Sequence, residues 1–222
     1  MTDQVSNILN ARGSAASEAS AVDLGRALNA ITAGLLIVFI APLLAVLALL
    51  VRAQDGGPAI FRQERIGRNG RIFRCLKFRS MAVDAELRLQ RLLAADPEAR
   101  AEWAAQHKLK SDPRITRLGD FMRKTSLDEL PQLFNVLVGD MELVGPRPVV
   151  QAEAARYGRR FRNYCTVRPG ITGLWQVSGR SNTTYRRRVA MDVYYARRRS
   201  LGMNARIALK TVPAVLQARG SS

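Results

Sequence analysis

"KTSLDELPQLFNVL", Lys124 to Leu137, sets two carboxylates, Asp128 and Glu129, at the head of an apolar run of helical period, with Pro131 two residues after them. The plainest reading is a capping box, with Ser126 as N-cap and Glu129 reaching back to it. In that register Pro131 falls at the fifth helical position, where its missing N–H costs a hydrogen bond and its ring meets the preceding turn. With Asp128 as N-cap, Pro131 moves into the first turn, where no intrahelical donor is lost. The proline therefore predicts the later start. Leu130, Leu133, Phe134, Leu137 and Val138 then form a stripe that would dock the helix on a core. The carboxylates sit at its N-terminal tip, where the helix, Arg123 and Lys124 all favour an ionised Asp128. A structural cap and a phosphate-handling centre both fit this stretch taken alone.

The rest of the chain narrows the choice. Its 222 residues suit one compact domain with accessory segments, and 47% hydrophobic content is enough for a core. Lys and Arg outnumber Asp and Glu 35 to 18, for a formal charge of +17, so the expected partners are anionic. No helix-turn-helix, zinc or aromatic RNA-binding pattern accompanies that charge, and nucleic acid is not an expected partner. A basic, membrane-anchored nucleic-acid binder or a non-catalytic scaffold is the alternative class. Cys75 and Cys165 lie far apart without a CxxC pair and His107 is the only histidine, which excludes a zinc cluster or disulfide framework. Both cysteines read as small buried thiols.

Ala27 to Val51, "ALNAITAGLLIVFIAPLLAVLALLV", runs 25 residues without a charge. As straight helix it would reach about 37 Å, against a hydrocarbon core of about 30 Å. The polar stretch before it, residues 1–26, reads as a flexible tail. Residues 52–80 hold eight basic and two acidic residues, which places the C-terminal side in the cytoplasm. Pro42 near the centre predicts a bend, and a kinked span and a re-entrant helix stand equal on these grounds.

Beyond the Gly56–Pro58 break, Asn69-Gly70 between two β-forming runs predicts a hairpin. Residues 82–108 predict helix interrupted near Pro97, and a short helix over 115–124 leads into the opening stretch. "VGPRPVV" and "RPGITGLWQVSGR" are loops carrying Arg147, Arg168 and Arg180. Two basic helical stretches near 182–216, with arginine triplets at 186–188 and 197–199, suit anionic lipid headgroups.

"LKFRSM" at 76–81, "DPRITRLGDFMRKTSLDELPQLFNVLVGDMELVGPRPVV" at 112–150 and "RPGITGLWQVSGR" at 168–180 together resemble the bacterial sugar transferase family, over roughly residues 27–218. The resemblance implies an α+β, mainly α, monotopic membrane protein. Its parts would be a re-entrant, proline-broken membrane helix at 27–51 and a catalytic domain at 52–218 with a small β-hairpin, on the cytoplasmic face of the bacterial inner membrane. It implies a phosphoglycosyl transferase that moves hexose-1-phosphate from a UDP-hexose, UDP-galactose or UDP-glucose foremost, to undecaprenyl phosphate. UMP would leave, as the first membrane step of exopolysaccharide synthesis. By the same resemblance Asp128 is the nucleophile that becomes a phosphosugar ester, and Glu129 with Asp128 associates with Mg2+. Lys77, Arg123 and Arg147 bind substrate phosphate, while Asp140 is a weaker candidate with capping as its default role. Homo-oligomerisation is left open. Two departures stand out: Ala41 precedes Pro42 where the family often has serine, and Met203-Asn204-Ala205 replaces a more apolar run that contains aspartate.

Overall fold

A computed structural model describes residues 2–106, 109–179 and 183–216, so His107 and Arg180 fall outside the described residues. The architecture is mainly helical with two small sheets, as the α+β reading expects. Helix α1 (Thr2–Asp55) contains the apolar run and passes through Pro42 without interruption. The proline-broken form expected there is thus replaced by a continuous helix. One proline removes one backbone bond, and the side chains packed on both sides of it hold the helix together.

Those packed side chains tie the apolar run of α1 to the rest of the chain. Ala33, with Ile37 and Ile40 beside it, joins Phe73, Cys75, Leu133, Val136 and Met141 in one core cluster. Leu47 and Val51, past the proline, join Phe78 and Met122 in another. Each buried side chain of this size contributes about 1.5–3 kcal/mol as an upper figure. Polar ties flank the apolar run. Asn29 Oδ1 accepts from Leu143 N at 2.9 Å, and Asp55 receives the Arg79 guanidinium and the Val83 N–H. The opposite face of α1 is apolar and exposed, with Ile31, Leu35, Val38, Phe39, Val46 and Leu49 outward.

Strands β1 (Ile60–Ile66) and β2 (Ile72–Phe78) form the expected antiparallel hairpin, with Phe61 opposite Lys77 and Gln63 opposite Cys75. Asn69 and Gly70 take positive φ of 58° and 76° in its turn. Asp96 separates α2 (Ala85–Ala95) from α3 (Pro97–Gln106), its Oδ1 accepting from the N–H groups of Glu98 and Ala99 while Pro97 opens the helix. Helix α4 (Arg117–Thr125) starts at Thr116, whose hydroxyl accepts from Gly119 N at 2.9 Å.

Helix α5 (Gln132–Val138) leads to β3 (Glu142–Val144), then α6 (Gln151–Tyr157), α7 (Phe161–Cys165) and β4 (Gly170–Thr172), which pairs parallel to β3. Helices α8 (Tyr185–Arg198) and α9 (Leu201–Leu216) close the described chain. The Met203-Asn204-Ala205 departure does not loosen α9. Asn204 Oδ1 accepts from Tyr195 Oη at 2.8 Å, Ile207 is buried beside Val144, and the Thr211 and Thr172 hydroxyls meet at 2.7 Å. Cys75 is buried, Cys165 half-buried, and both are free thiols.

Candidate active site

The carboxylate pair lies in a separate 3-10 turn, Leu127–Glu129, ahead of α5, whose N-cap position is taken by Pro131. The proline does push the helix start later, and further than expected: Asp128 is not the N-cap. Neither capping arrangement forms, because Ser126 caps nothing with its side chain. Ser126 instead adopts the left-handed conformation, φ 59°, and ends α4. A non-glycine residue there stores on the order of 1–2 kcal/mol of strain. Leu127 and Leu130, flanking the pair, pack into the cluster built on Leu47 and Val51 of α1, so the turn is clamped to the apolar helix.

The buried face of α5 also differs from the expected stripe. Gln132, Leu133, Asn135 and Val136 are buried, whereas Phe134, Leu137 and Val138 are exposed. The period is helical as expected, but the inward face is rotated and three large apolar side chains are left exposed; one of them, Leu137, approaches α1, its Cδ1 3.7 Å from the Cβ position that Gly34 lacks.

Lys77, Asp128, Glu129 and Arg147 converge from three separate stretches of chain. Lys77 Nζ, from the end of β2, lies 2.7 Å from Glu129 Oε1 and 3.6 Å from Asp128 Oδ2. Arg147 Nη1 lies 3.3 Å from the same Glu129 oxygen. Arg147 comes from the loop after β3, pinned where Gly145 N donates to Thr172 O and Gly170 N to Pro146 O, each at 2.8 Å. A Cβ on Gly170 would lie 2.0 Å from Gly145 N, so the two loops approach this closely only as glycines.

Arg123 reaches the site from α4, its Nε donating to Ser80 Oγ at 2.9 Å, and its charge is felt by Asp128. Gly119, one turn earlier, sets that approach: a Cβ there would fall 1.9 Å from Ser80 O. Lys124 pairs with Asp120 on the surface at 2.6 Å and does not face the carboxylates as its sequence position suggests. Asp140 sits past the far end of α5, away from the pair.

The two carboxyls are driven apart electrostatically. Burial alone would raise Glu129, but Lys77 and Arg147 outweigh it and hold the group down to about 2. Asp128 is 7% exposed, and burial pushes its carboxyl up, with Lys77 opposing and the Glu129 charge adding to the rise. This corrects the expectation that its surroundings would lower it: the helix tip that would have done so starts elsewhere, and the nearest cations are engaged by Glu129. The outcome is a fixed anion beside a more basic carboxylate, and Asp128 accepts no hydrogen bond among the described residues. A more basic, desolvated carboxylate is the better nucleophile of the two.

No cluster of three or more metal-ligating side chains occurs among the described residues. The pair nonetheless suits Mg2+, which takes oxygen ligands from one or two carboxylates and completes its shell with substrate phosphate and water. Lys77 and Arg147 both bond Glu129 Oε1, which leaves Oε2 for such a cation.

Two further residues support the site without having stood out in the sequence. Asn135, 3% exposed, accepts from Leu76 N at 2.9 Å and donates to Arg74 O at 2.8 Å. It pairs with the free edge of β2 just before Lys77. Arg65 donates to Pro148 O at 2.9 Å and faces Glu153 at 3.7 Å, bracing the Arg147 loop. An amide among the apolar residues of "QLFNVL" was the available signal for Asn135; a strand arginine gives none.

The chain matches the family described as bacterial sugar transferase over residues 21–218. It is 48% identical to the Salmonella typhimurium undecaprenyl-phosphate galactose phosphotransferase, over 89% of this chain and 41% of that protein. It is 44% identical to the Sinorhizobium fredii exopolysaccharide production protein ExoY, over 88% of this chain and 87% of that one. The Caulobacter vibrioides UDP-glucose:undecaprenyl-phosphate glucose-1-phosphate transferase is 40% identical, over 88% of this chain and 71% of its own length. The chain spans about two fifths of the length of several curated relatives it matches.

Proposed function

Because the chain belongs to the bacterial sugar transferase family, we propose that it transfers hexose-1-phosphate from a UDP-hexose to undecaprenyl phosphate, as the first membrane step of exopolysaccharide synthesis. The observation that carries this reading is the Asp128 carboxylate: buried beside Lys77, raised by its surroundings, and tied into no cap. A structural aspartate at a turn spends its oxygens on backbone N–H groups; this one keeps them available.

In the first half-reaction an Asp128 oxygen attacks the sugar-bearing phosphorus, the P–O bond to the UMP phosphate breaks, and UMP leaves with the electron pair. The enzyme then carries a mixed anhydride between Asp128 and the sugar phosphate. In the second, an oxygen of undecaprenyl phosphate attacks the same phosphorus and the Asp128 carboxylate departs, restoring the enzyme. Lys77 and Arg147 stand where the extra negative charge of the transferring group has to be offset, with Arg123 beside them. A Mg2+ ion held by Glu129 and Asp128 would add charge neutralisation on the diphosphate. UDP-galactose and UDP-glucose are the donors that the relatives' names favour.

The setting fits a lipid-borne acceptor. The polar ties at Asn29 and Asp55 join α1 to the same module, about 39 Å apart along the helix. A continuous helix fastened alongside its own domain at both ends of its apolar run supports an in-plane seat on the inner face of the cytoplasmic membrane, where the outward apolar side chains of α1 and α5 meet lipid. The test is release of UMP from UDP-galactose and UDP-glucose by purified protein with undecaprenyl phosphate and Mg2+. Asp128→Asn abolishes release, together with labelling of the protein by donor radioactive in the sugar. Ordinary turnover by that variant overturns the assignment.

A further inference from the structure

A second concentration of cations lies on the face formed by α6 and α8. Arg156, Arg159, Arg160 and Arg186 line an open cleft of about 570 Å3 against Tyr157 and Tyr185. An adjoining cleft of about 800 Å3 shares Arg159 and adds Arg162. Neither is lined by Asp128, Glu129, Lys77 or Arg147, so this is not the reaction centre.

None of the five arginines forms an ion pair among the described residues. From Gln151 to Cys165 and along α8 the chain holds only two acids, Glu153 and Asp192. Both are engaged elsewhere. Glu153 accepts from Val150 N at 3.2 Å and faces Arg65, while Asp192, 1% exposed, takes the Tyr157 hydroxyl at 2.8 Å beneath the cleft. Arg156 is held in place by stacking over the Tyr185 ring at 5.0 Å. The fold thus holds like charges around one concavity over an aromatic wall, with no ion-pair partner for them among the described residues.

We propose that this cleft binds a phosphate-bearing anion of two or more charges, at a site separate from the reaction centre. Planar guanidinium forks match phosphate oxygens two at a time, and several converging on one volume select a multivalent anion over chloride. The volume falls in the range of roughly 300–1,000 Å3 that small-molecule sites occupy. Helix α6, about 10 Å long, separates the cleft from the Arg147 loop, so a ligand there abuts the scaffold of the site without entering it. The phosphate has two sources, a soluble phosphate ester or an anionic lipid headgroup.

The test is arginine modification by phenylglyoxal, read residue by residue by peptide mass spectrometry on the full chain in nanodiscs at constant ionic strength. Inorganic pyrophosphate added to neutral phosphatidylcholine discs protects Arg156, Arg159, Arg160 and Arg186 saturably if the ligand is soluble. Protection only in discs containing phosphatidylglycerol identifies a headgroup, and either result sustains the site. Absence of protection in both arms, or equal protection of Arg197 and Arg198 at the far end of α8, overturns it. The triple variant Arg159→Gln, Arg160→Gln, Arg186→Gln loses protection at Arg156 and keeps UMP release. Retained protection, or lost UMP release with an unchanged melting temperature, also overturns the proposal. UMP release is measured separately with Asp128→Asn, so failure of the catalytic reading is told apart from failure of this one.

Discussion

Replacing Lys77 with methionine keeps the length of the side chain and removes its charge. The ammonium stands 3.6 Å from Asp128 and 2.7 Å from Glu129, and it is the first opposing influence on the upward displacement of Asp128. Two unit charges about 4 Å apart interact by roughly 4 kcal/mol at an effective dielectric near 20. Relaxation and water entry reduce that figure without changing its sign. The sign is unambiguous. Lys77 stabilises the ionised carboxylate, so its loss raises Asp128 further, and the nucleophilic form is lost at a higher pH than in the wild type. The acid limb of UMP release, measured as kcat/KM against pH, therefore moves to higher pH. Lys77→Arg retains the charge and leaves the limb close to its original place. Removing one partner of a buried pair also costs about 3–5 kcal/mol, so thermal melts accompany the kinetics. An acid limb that stays put in a folded Lys77→Met protein refutes the electrostatic coupling of the two groups.

Asn135→Leu strands the Leu76 N–H and the Arg74 carbonyl, at about 1–3 kcal/mol for each unpaired group. Urea unfolding should register that loss, and UMP release should fall where the protein remains folded, because β2 no longer holds Lys77 on the pair; an unchanged rate refutes the positioning role. Asp192 is pushed up to about 7 by burial, with the Tyr157 hydroxyl opposing, against about 3.9 in an unfolded chain. The folded state therefore binds the extra proton between those values, and stability declines as pH rises from about 4 to about 7, by up to ~1.4 kcal/mol per unit, then levels off. Asp192→Asn removes that slope, seen as a wild-type minus variant difference in unfolding free energy that changes across the window; a pH-independent difference contradicts the burial argument.

Local chemistry was legible in the sequence wherever neighbours along the chain decide it. Asn69-Gly70 turned a hairpin, Pro97 divided a helix, and the apolar run from Ala27 to Val51 became a helix with one face in the core and the other exposed. The identities of Asp128, Glu129, Lys77 and Arg147 were likewise legible as residue types suited to phosphate chemistry, and the fold brings the four together. Pro131 was read correctly in direction and not in extent, since Ser126 ends α4 in the left-handed conformation and the carboxylates fall in a separate 3-10 turn before α5. The division of labour within the carboxylate pair depends on which oxygen each cation reaches, and those cations lie 18 and 52 residues from Glu129 in the chain. Spacing cannot encode that. Asn135 and Arg65 act on backbone groups 59 to 83 residues away, and the arginines of the α6–α8 face become a site only once the two acids near them are seen to be engaged inside the fold. Composition and period thus determined what the chain is made of and which surfaces it must bury. Burial and through-space charge, which exist only in the folded molecule, decided which carboxyl is held as a fixed anion and which is pushed up.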